Sequence, residues 1–533
     1  MHLKTHAPFR SDSPVRDRSS DRNLFQPSRA LSWLGAWMFV ITGILSVSLS
    51  PFALASSLVD VGYSTLQSEL DARTPTGAGV RVAQVEAPTN DTSGGAAPIF
   101  MPNPSDAQFA GKVLTAQNGN ASGTFSDHAT AVGRLFYGNT SSIAPGLTQI
   151  DAYDAVNWFT SLSNASGTTT TGPNRVTNHS WVGTGDTPSE TGQILRMVDR
   201  QVHINESIQV VGLANGSSDS PLLGSAYNVI SVGRTDGGHQ QRTVSVAGDS
   251  LYGTARAAAL LVAPESTTSS ATPVVAAAAA LLVQTGHGAG LSLSEGSTTI
   301  SGVGTIYNAE RSETIKATLS AGADRETSNT GTTTNITDYR SAGHETANGL
   351  DDRYGAGQVN IYNSYHILAG GEQQSLQSGG GDIGSRGFDY GTIGRVGGIQ
   401  GAASYFFNAT SEVTLFASLA WNLSLSNDAQ LTSQLYNLDV SLFDVTNNRL
   451  VASSISPLDN TENLFFNLLV GNRYEMRVTT NESTDFSGDY ALAWRMDPSS
   501  SPVPLPAAVW LFGSGMAGLA AIAHRRMQRP FTA

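Results

Sequence analysis

Residues 267–284 read TTSSATPVVAAAAALLVQ, a run of hydroxyl side chains followed by a long apolar stretch. Positions 271–284 are apolar on every side of a helical projection, which is typical of a helix buried inside a domain. Pro273 falls in the predicted first turn, where proline is tolerated, and Gly286 lies beyond the predicted end. The stretch therefore predicts a central helix over 271–284, with serine hydroxyls just before its N-terminus.

Short apolar segments alternate with helical patterns from Gly77 to about residue 370. Residues 80–85 and 208–213 have the composition of buried strands. Residues 190–202 place their apolar side chains on one face of a helix. Because strands that alternate with helices form a parallel sheet flanked by helices, the segment predicts an α/β fold. In such a sheet the functional groups gather at the carboxyl ends of the strands.

Four polar residues fall near those ends, in the chain order acid, histidine, asparagine, serine: Glu86, His128, Asn215 and Ser269. A serine hydroxyl becomes a nucleophile when a histidine takes its proton, and a buried acid orients that histidine. Taken singly, each residue has a structural explanation, as a helix cap, a buried histidine or a turn residue. Together and in this order they indicate a serine triad.

This constellation resembles the subtilisin-like serine peptidases, or subtilases, over about residues 77–370. In the family's motif Gly-Thr-Ser-x-Ala-x-Pro, the proline follows the nucleophile by four residues. Pro273 therefore selects Ser269 and leaves the neighbouring Ser270 as the alternative. Thr267 stands where the family has glycine, two residues before the nucleophile.

The resemblance implies a role for each residue. Ser269 would be the nucleophile, His128 the general base, and Glu86 the triad acid in the place of the family's aspartate. The side chain of Asn215 and the backbone N–H of Ser269 would form the oxyanion hole. The residues implied to bind the extended substrate are Ser180, Trp181 and Gly183.

Composition excludes several other classes of function. The chain has 533 residues, a formal net charge of −13, 14% charged residues and no cysteine. An acidic surface argues against nucleic-acid binding, and the lack of cysteine excludes thiol nucleophiles, thiolate metal sites and disulfides. Subtilases often bind calcium, but no acid-rich loop indicates a site here, so we predict no cofactor. The expected partner is a protein or peptide substrate.

The N-terminal residues 1–55 have the layout of a secretory signal peptide. A leader rich in arginine precedes an apolar run from Ala30 to Leu49, and Ala53-Leu54-Ala55 has the small-x-small pattern of a cleavage site. The alternative is an uncleaved membrane anchor. Both predict that the body of the protein is exported.

The C-terminal residues 499–533 form a second targeting segment. Val-Pro-Leu-Pro at 503–506 precedes an apolar stretch over 507–523, which is followed by Arg525, Arg526 and Arg529. This layout resembles the PEP-CTERM sorting signals of Gram-negative bacteria. It implies processing by an exosortase-type machinery and delivery to the cell surface or the extracellular matrix. The alternative is a permanent transmembrane anchor.

Between these parts the sequence predicts a linker and a second domain. Residues 371–387 are rich in Gly, Ser and Gln, which is typical of a flexible linker. In residues 388–498 apolar positions recur with period two, as at Leu438, Val440 and Leu442, and predict an antiparallel β-sandwich. Phrases such as VTLFASLAW resemble the bacterial pre-peptidase C-terminal domain. The peptidase domain would then span 56–370.

The sequence as a whole predicts an exported, surface-sorted serine endopeptidase with a Glu-His-Ser triad. The rival prediction is a surface or matrix protein that keeps the subtilase fold without catalysis, as a scaffold or an adhesin.

Overall fold

The computed structural model describes residues 58–88, 98–120, 123–163, 173–331, 334–426 and 430–498. The predicted signal peptide (1–55) and sorting segment (499–533) lie outside the described residues. The described chain folds into an α/β part followed by a part built from antiparallel strands.

Seven parallel strands form the central sheet of the α/β part, in the spatial order β2-β3-β1-β4-β5-β6-β7. They are β1 (Arg81–Glu86), β2 (Val113–Ala116), β3 (Gln149–Asp154), β4 (Val176–His179), β5 (Ile208–Gly212), β6 (Ile230–Arg234) and β7 (Leu261–Ala263). Strands β4 and β5 are buried along their whole length, as is usual for strands covered on both faces. The predicted parallel sheet is confirmed.

Helices pack against both faces of this sheet. They are α1 (Tyr63–Leu70), α2 (Asp127–Tyr137), α3 (Ala155–Ser163), α4 (Pro188–Asn205), α5 (Thr268–Ala289), α6 (Ser312–Gly322) and α7 (Ile361–Ala369). Val210 of β5 belongs to the core that contains α5, whereas the next residue, Val211, belongs to the core that contains α3 and α4. Consecutive side chains of a strand point to opposite faces, so the sheet separates two apolar cores.

Helix α5 is the predicted central helix, but it is longer at both ends. It begins at Thr268 because the Thr267 hydroxyl caps it and accepts a hydrogen bond from the N–H of Ser270. Gly286 was predicted to lie beyond the end, and it lies inside the helix. A Cβ at this position would come within 3.1 Å of the Ala309 side chain, so the glycine permits close packing and does not end the helix. Of the described residues, 268–292 form one helix that is long and apolar enough to cross a membrane, and it is largely buried.

The second part is a β-sandwich of two antiparallel sheets, as predicted. One sheet has the order β11-β10-β20-β13-β18 and the other the order β12-β19-β16-β17. Their strands are β10 (Arg386–Val396), β11 (Ile399–Gln400), β12 (Ala402–Asn408), β13 (Val413–Ala420), β16 (Leu438–Asp444), β17 (Arg449–Ser454), β18 (Thr461–Leu468), β19 (Arg473–Thr480) and β20 (Phe486–Pro498). Two short hairpins complete the strands: β8 (Ser297–Ile300) with β9 (Gly304–Tyr307), and β14 (Ser424–Leu425) with β15 (Ser433–Gln434).

Residues 371–387, predicted to form a flexible linker, are packed in the structure. The N–H of Gln373 donates to the carbonyl of Phe388, its side-chain oxygen accepts from the N–H of Gly384, and Ile383 is buried in the sandwich core. Small and amide side chains allow tight turns, and here their amides also satisfy backbone groups, which composition does not reveal. Helix α7 ends at Ala369 and β10 begins at Arg386.

The sandwich packs directly against the α/β part. Helix α6 is buried over its whole length, with α5 and α7 on one side and β13 and β20 on the other. The guanidinium of Arg495, on β20, donates to the carbonyls of Ala321 and Ala323 at the end of α6. The side chain of Asn422 donates to Glu313 at 2.7 Å. Both apolar and polar contacts therefore join the two parts.

Candidate active site

The four predicted site residues lie at one edge of the sheet. Glu86 is the last residue of β1, and Asn215 follows the end of β5 by three residues. His128 lies in the first turn of α2 and Ser269 in the first turn of α5. The topology therefore places all four at the carboxyl end of the sheet, where the open face of such folds carries its ligands.

Glu86 and His128 contact each other directly. Nδ1 of His128 lies 2.9 Å from Oε2 of Glu86. The Glu86 side chain is only 2% exposed, whereas that of His128 is 40% exposed. A carboxylate oxygen accepts, so Nδ1 carries the proton and Nε2 is left with a free lone pair. Nε2 makes no hydrogen bond with any described residue.

The pair also changes the acid–base behaviour of the imidazole. Burial acts to lower the pKa of His128, but the charge of Glu86 and its hydrogen bond together outweigh burial and raise that pKa above the ordinary 6.5. The buried acid therefore makes this histidine a stronger base than a free imidazole.

Ser269 has a hydroxyl that faces the site and is half-buried. Its Oγ donates to the backbone carbonyl of Ser180 at 3.3 Å, a long and weak hydrogen bond. Within the described chain it makes no hydrogen bond to His128. The hydroxyl of Ser270, by contrast, accepts from the Thr267 hydroxyl at 3.0 Å as part of the cap of α5. Of the two serines, Ser269 is the one whose hydroxyl takes no part in the cap of α5.

The first turn of α5 leaves one N–H open. The N–H of Thr268 donates to Oδ1 of Asn215 at 2.9 Å, and those of Ser270 and Ala271 donate to Thr267. The N–H of Ser269 has no acceptor among the described residues. Because the N-terminus of a helix favours negative charge, this N–H is suited to bind an oxyanion.

The side-chain amide of Asn215 is hydrogen-bonded through its oxygen only. Its side chain is exposed, and Nδ2 has no acceptor in the part of the chain that the structure describes. The hydrogen bond from Thr268 fixes which end of the amide points outward. Two hydrogen-bond donors near the start of α5 therefore have no acceptor among the described residues: Nδ2 of Asn215 and the N–H of Ser269.

Thr267 occupies the place of the family's glycine without strain. Its φ is −138° and its ψ is 155°, which is extended backbone that any residue adopts. The threonine also supplies the cap of α5, a contact that glycine cannot make.

The predicted substrate-binding segment follows β4. Ser180 is buried, and its hydroxyl accepts from the Asn178 side chain at 3.0 Å. The indole of Trp181 is buried in the apolar core, where its ring packs against Phe159. Gly183 is half-buried in the stretch that follows. The backbone of this segment stays a prediction as the part that pairs with substrate.

An open cavity of about 590 Å³ adjoins Asn215. Its lining includes Gly216, Gly238, His239 and Arg242. The guanidinium of Arg242 pairs with Asp352 at 2.7 Å, so the positive charge here is already neutralised. Among the described residues there is no cluster of three or more His, Asp or Glu that could hold a metal ion.

The sequence analysis missed a chain of two hydrogen bonds that ends on Glu86. Gln84 donates to Glu86, and Tyr137 donates to Gln84. The contact between Gln84 and Glu86 could have been predicted from the sequence, because residues two apart in a strand point to the same face. A buried glutamine side chain needs hydrogen-bond partners, so Gln84 predicts a polar neighbour inside the sheet.

No protein-family model and no curated protein matches the sequence. Among solved structures, the self-cleaved protease domain of PatA is 17% identical, with a TM-score of 0.35, over 56% of this chain and 99% of that one. A cold-adapted subtilisin-like serine proteinase is 18% identical, with a TM-score of 0.30, over 49% and 88%. The pre-peptidase C-terminal domain of a Bacillus anthracis collagenase is 17% identical, with a TM-score of 0.16, over 20% and 87%.

The α/β part is a seven-stranded parallel sheet with helices on both faces. The TM-scores of these three matches lie below 0.5, and the matches carry no conclusion about the activity of this chain.

Proposed function

We propose that the chain is an exported serine endopeptidase that cleaves peptide bonds with a Glu86–His128–Ser269 triad. One observation carries the proposal: the 2.9 Å contact between the buried Glu86 and Nδ1 of His128, which leaves Nε2 free. The open N–H of Ser269 supports the same proposal.

The chemistry follows from these positions. Oγ of Ser269 attacks the carbonyl carbon of the scissile peptide and passes its proton to Nε2 of His128. The oxyanion that forms accepts from Nδ2 of Asn215 and from the N–H of Ser269. His128 then gives the proton to the leaving amine, and an acyl-enzyme remains on Ser269. Water, deprotonated by His128, hydrolyses this ester and frees the serine.

Hydrolysis of an unstructured protein such as casein tests the proposal. Ser269→Ala is expected to reduce kcat to the residual level left by the oxyanion hole and binding. Ser270→Ala is the matched control and is expected to keep most of the activity, because its hydroxyl serves the helix cap. Equal loss in both variants, or no activity in the wild type, would contradict the proposal.

A second candidate is a surface or matrix protein with this fold and no catalysis, acting as a scaffold or adhesin. The observation that favours it is the Ser269 hydroxyl, which donates to the carbonyl of Ser180 and makes no hydrogen bond to His128 within the described chain. Hydrogen bonds of a triad are often long before substrate binds, so we prefer the enzyme.

Export and surface sorting belong to the same proposal. They are supported by the apolar run at 30–49 and by the Pro-Leu-Pro motif, apolar stretch and arginines of 499–533. Mass spectrometry of the mature protein is expected to find a C-terminus near Ala507, in protein outside the inner membrane. An intact Arg525-Arg526 tail on protein held in the inner membrane would contradict sorting.

A further inference from the structure

Gln84 lies directly beside the proposed triad acid and is completely buried. It is on β1, two residues before Glu86, so the two side chains point to the same face of the sheet. Nε2 of Gln84 donates to Oε1 of Glu86 at 2.7 Å, on the carboxylate oxygen that does not contact His128. The two oxygens of Glu86 thus have one partner each.

The second N–H of Gln84 reaches the helix that carries the histidine. It donates to the carbonyl of Ala129 at 2.9 Å, one residue after His128. A single amide therefore ties the acid and the first turn of α2 together.

Tyr137 fixes the orientation of that amide. Its hydroxyl donates to Oε1 of Gln84 at 2.6 Å, so the nitrogen end must face Glu86 and Ala129. Burial and then the charge of Glu86 raise the pKa of Tyr137 well above its usual value, which keeps the hydroxyl protonated as a donor. Every polar atom of Gln84 is satisfied, a condition under which a buried network is rigid.

The helix leaves room for this tyrosine. A Cβ at Gly133, one turn earlier on α2, would come within 3 Å of the Tyr137 ring and of Phe109. The rings of Phe109 and Tyr137 are 5.1 Å apart, so packing sets the ring position independently of its hydroxyl. Removal of the hydroxyl alone should therefore leave the ring in place.

We propose that Gln84 and Tyr137 are positioning residues that hold the Glu86 carboxylate against His128. The inference rests on the proposed function for its kinetic consequence. Glutamate has one more rotatable bond than aspartate, and an unrestrained glutamate side chain would reach Nδ1 in only some of its rotamers. The hydrogen bond from Gln84 restrains Oε1 of Glu86 and thereby directs Oε2 towards Nδ1 of His128. Tyr137 acts only through Gln84.

Two single variants and the double variant test whether Tyr137 acts on Glu86 through Gln84. Gln84→Met keeps the side-chain length and removes both donors, and it is expected to lower kcat about 10- to 100-fold with little change in KM. Tyr137→Phe removes one hydroxyl and is expected to lower kcat about 3- to 10-fold. Because Tyr137 acts through Gln84, the double variant is expected to lose no more than Gln84→Met alone.

The histidine itself supplies a readout that does not depend on turnover. In ¹⁵N-histidine-labelled full chain, the Nδ1–H signal of His128, assigned with His128→Gln, reports its hydrogen bond to Glu86. In both single variants we expect this signal to broaden or vanish and the pKa of His128 to move down. Tyr405→Phe is the matched control, since Tyr405 is an equally buried tyrosine whose hydroxyl donates to Asp389 in the sandwich. Loss of the Tyr405 hydroxyl should lower the free energy of unfolding without changing the Nδ1–H signal of His128.

The outcomes separate this inference from the proposed function. Wild-type Nδ1–H signals in Tyr137→Phe and Gln84→Met would overturn the positioning role whatever the activity. Additive losses of kcat in the double variant would overturn the action of Tyr137 through Gln84. If Gln84→Met does not fold, Tyr137→Phe alone decides by its Nδ1–H signal. A shifted signal in a chain that hydrolyses nothing would support positioning and reject the peptidase.

Discussion

At the scale of single residues, Glu86, the proposed triad acid, stands where the subtilases have aspartate. Glu86 is buried, and its carboxylate contacts Nδ1 of His128 at 2.9 Å. Gln84 donates to the second carboxylate oxygen at 2.7 Å. The departure from aspartate therefore does not by itself break the contact between acid and histidine.

Substitution of Glu86 tests its role. Glu86→Gln offers an amide in place of the carboxylate and favours the wrong tautomer, so kcat is expected to fall on the order of 10⁴-fold. Glu86→Asp keeps the charge, shortens the reach and is expected to lose less. Circular dichroism should show both variants folded. A Glu86→Gln variant with wild-type turnover would mean that the acid lies elsewhere or that the site works without one.

The pH dependence of kcat/KM tests the same contact. In the proposed mechanism His128 must be neutral before substrate binds, and Glu86 raises its pKa above 6.5 against the effect of burial. Activity is therefore expected to fall as pH drops through a midpoint above 6.5. In Glu86→Gln the charge is gone and burial remains, so the midpoint of the residual activity, or of His128 followed by NMR, should move down. An unmoved midpoint would show that another group titrates.

At the scale of elements, helix α5 carries both the proposed nucleophile and the open N–H. Its cap, Thr267, orders the turn through the N–H groups of Ser270 and Ala271. The same cap occupies the Ser270 hydroxyl, whereas the Ser269 hydroxyl makes only the long hydrogen bond to the carbonyl of Ser180.

Replacement of the cap is expected to affect stability and activity together. Thr267→Ala removes the side-chain acceptor and should cost about 1 kcal/mol of unfolding free energy, whereas Thr267→Ser keeps the hydroxyl and should cost little. Denaturant unfolding followed by circular dichroism measures both. Thr267→Ala should also lower kcat, because the turn that holds the N–H of Ser269 is loosened. No difference between the two variants would mean that the cap contributes nothing.

The elements show what the sequence could and could not predict. Apolar periodicity located β1, α5 and the sandwich strands, because burial of one face leaves a direct trace in the residue order. The ends of α5 were placed wrongly, because a cap at Thr267 and the packing of Gly286 against Ala309 depend on contacts outside the apolar run. The contact of Gln84 with Tyr137 joins residues 53 positions apart, a pairing that a single sequence does not contain.

At the scale of the whole molecule, the two parts share a core. Ala420, Ala491 and Ala493 of the sandwich lie in the same apolar cluster as α5 and α6. The composition of residues 371–387 predicted a flexible linker. Their packing depends on the surface of the sandwich, and composition does not reveal that surface.

Removal of the sandwich tests how far the α/β part depends on it. Without residues 388–498, the face of α6 that packs on β13 and β20 would meet water, with Ile315 and Leu319 nearby in the same core. The fragment 56–370 is therefore expected to melt at a lower temperature than 56–498, or to aggregate. A fragment that unfolds cooperatively at the temperature of the longer chain would show that the two parts fold separately.

The proposed peptidase activity of the molecule depends on Ser269 being an activated nucleophile. Reaction of the protein with a fluorophosphonate, followed by proteolysis and mass spectrometry, identifies the modified residue. We expect a single adduct on Ser269, its loss in Ser269→Ala and His128→Ala, and its retention in Ser270→Ala. An adduct on Ser270, or a wild-type protein that stays unmodified under conditions in which a known serine peptidase reacts, would contradict the account.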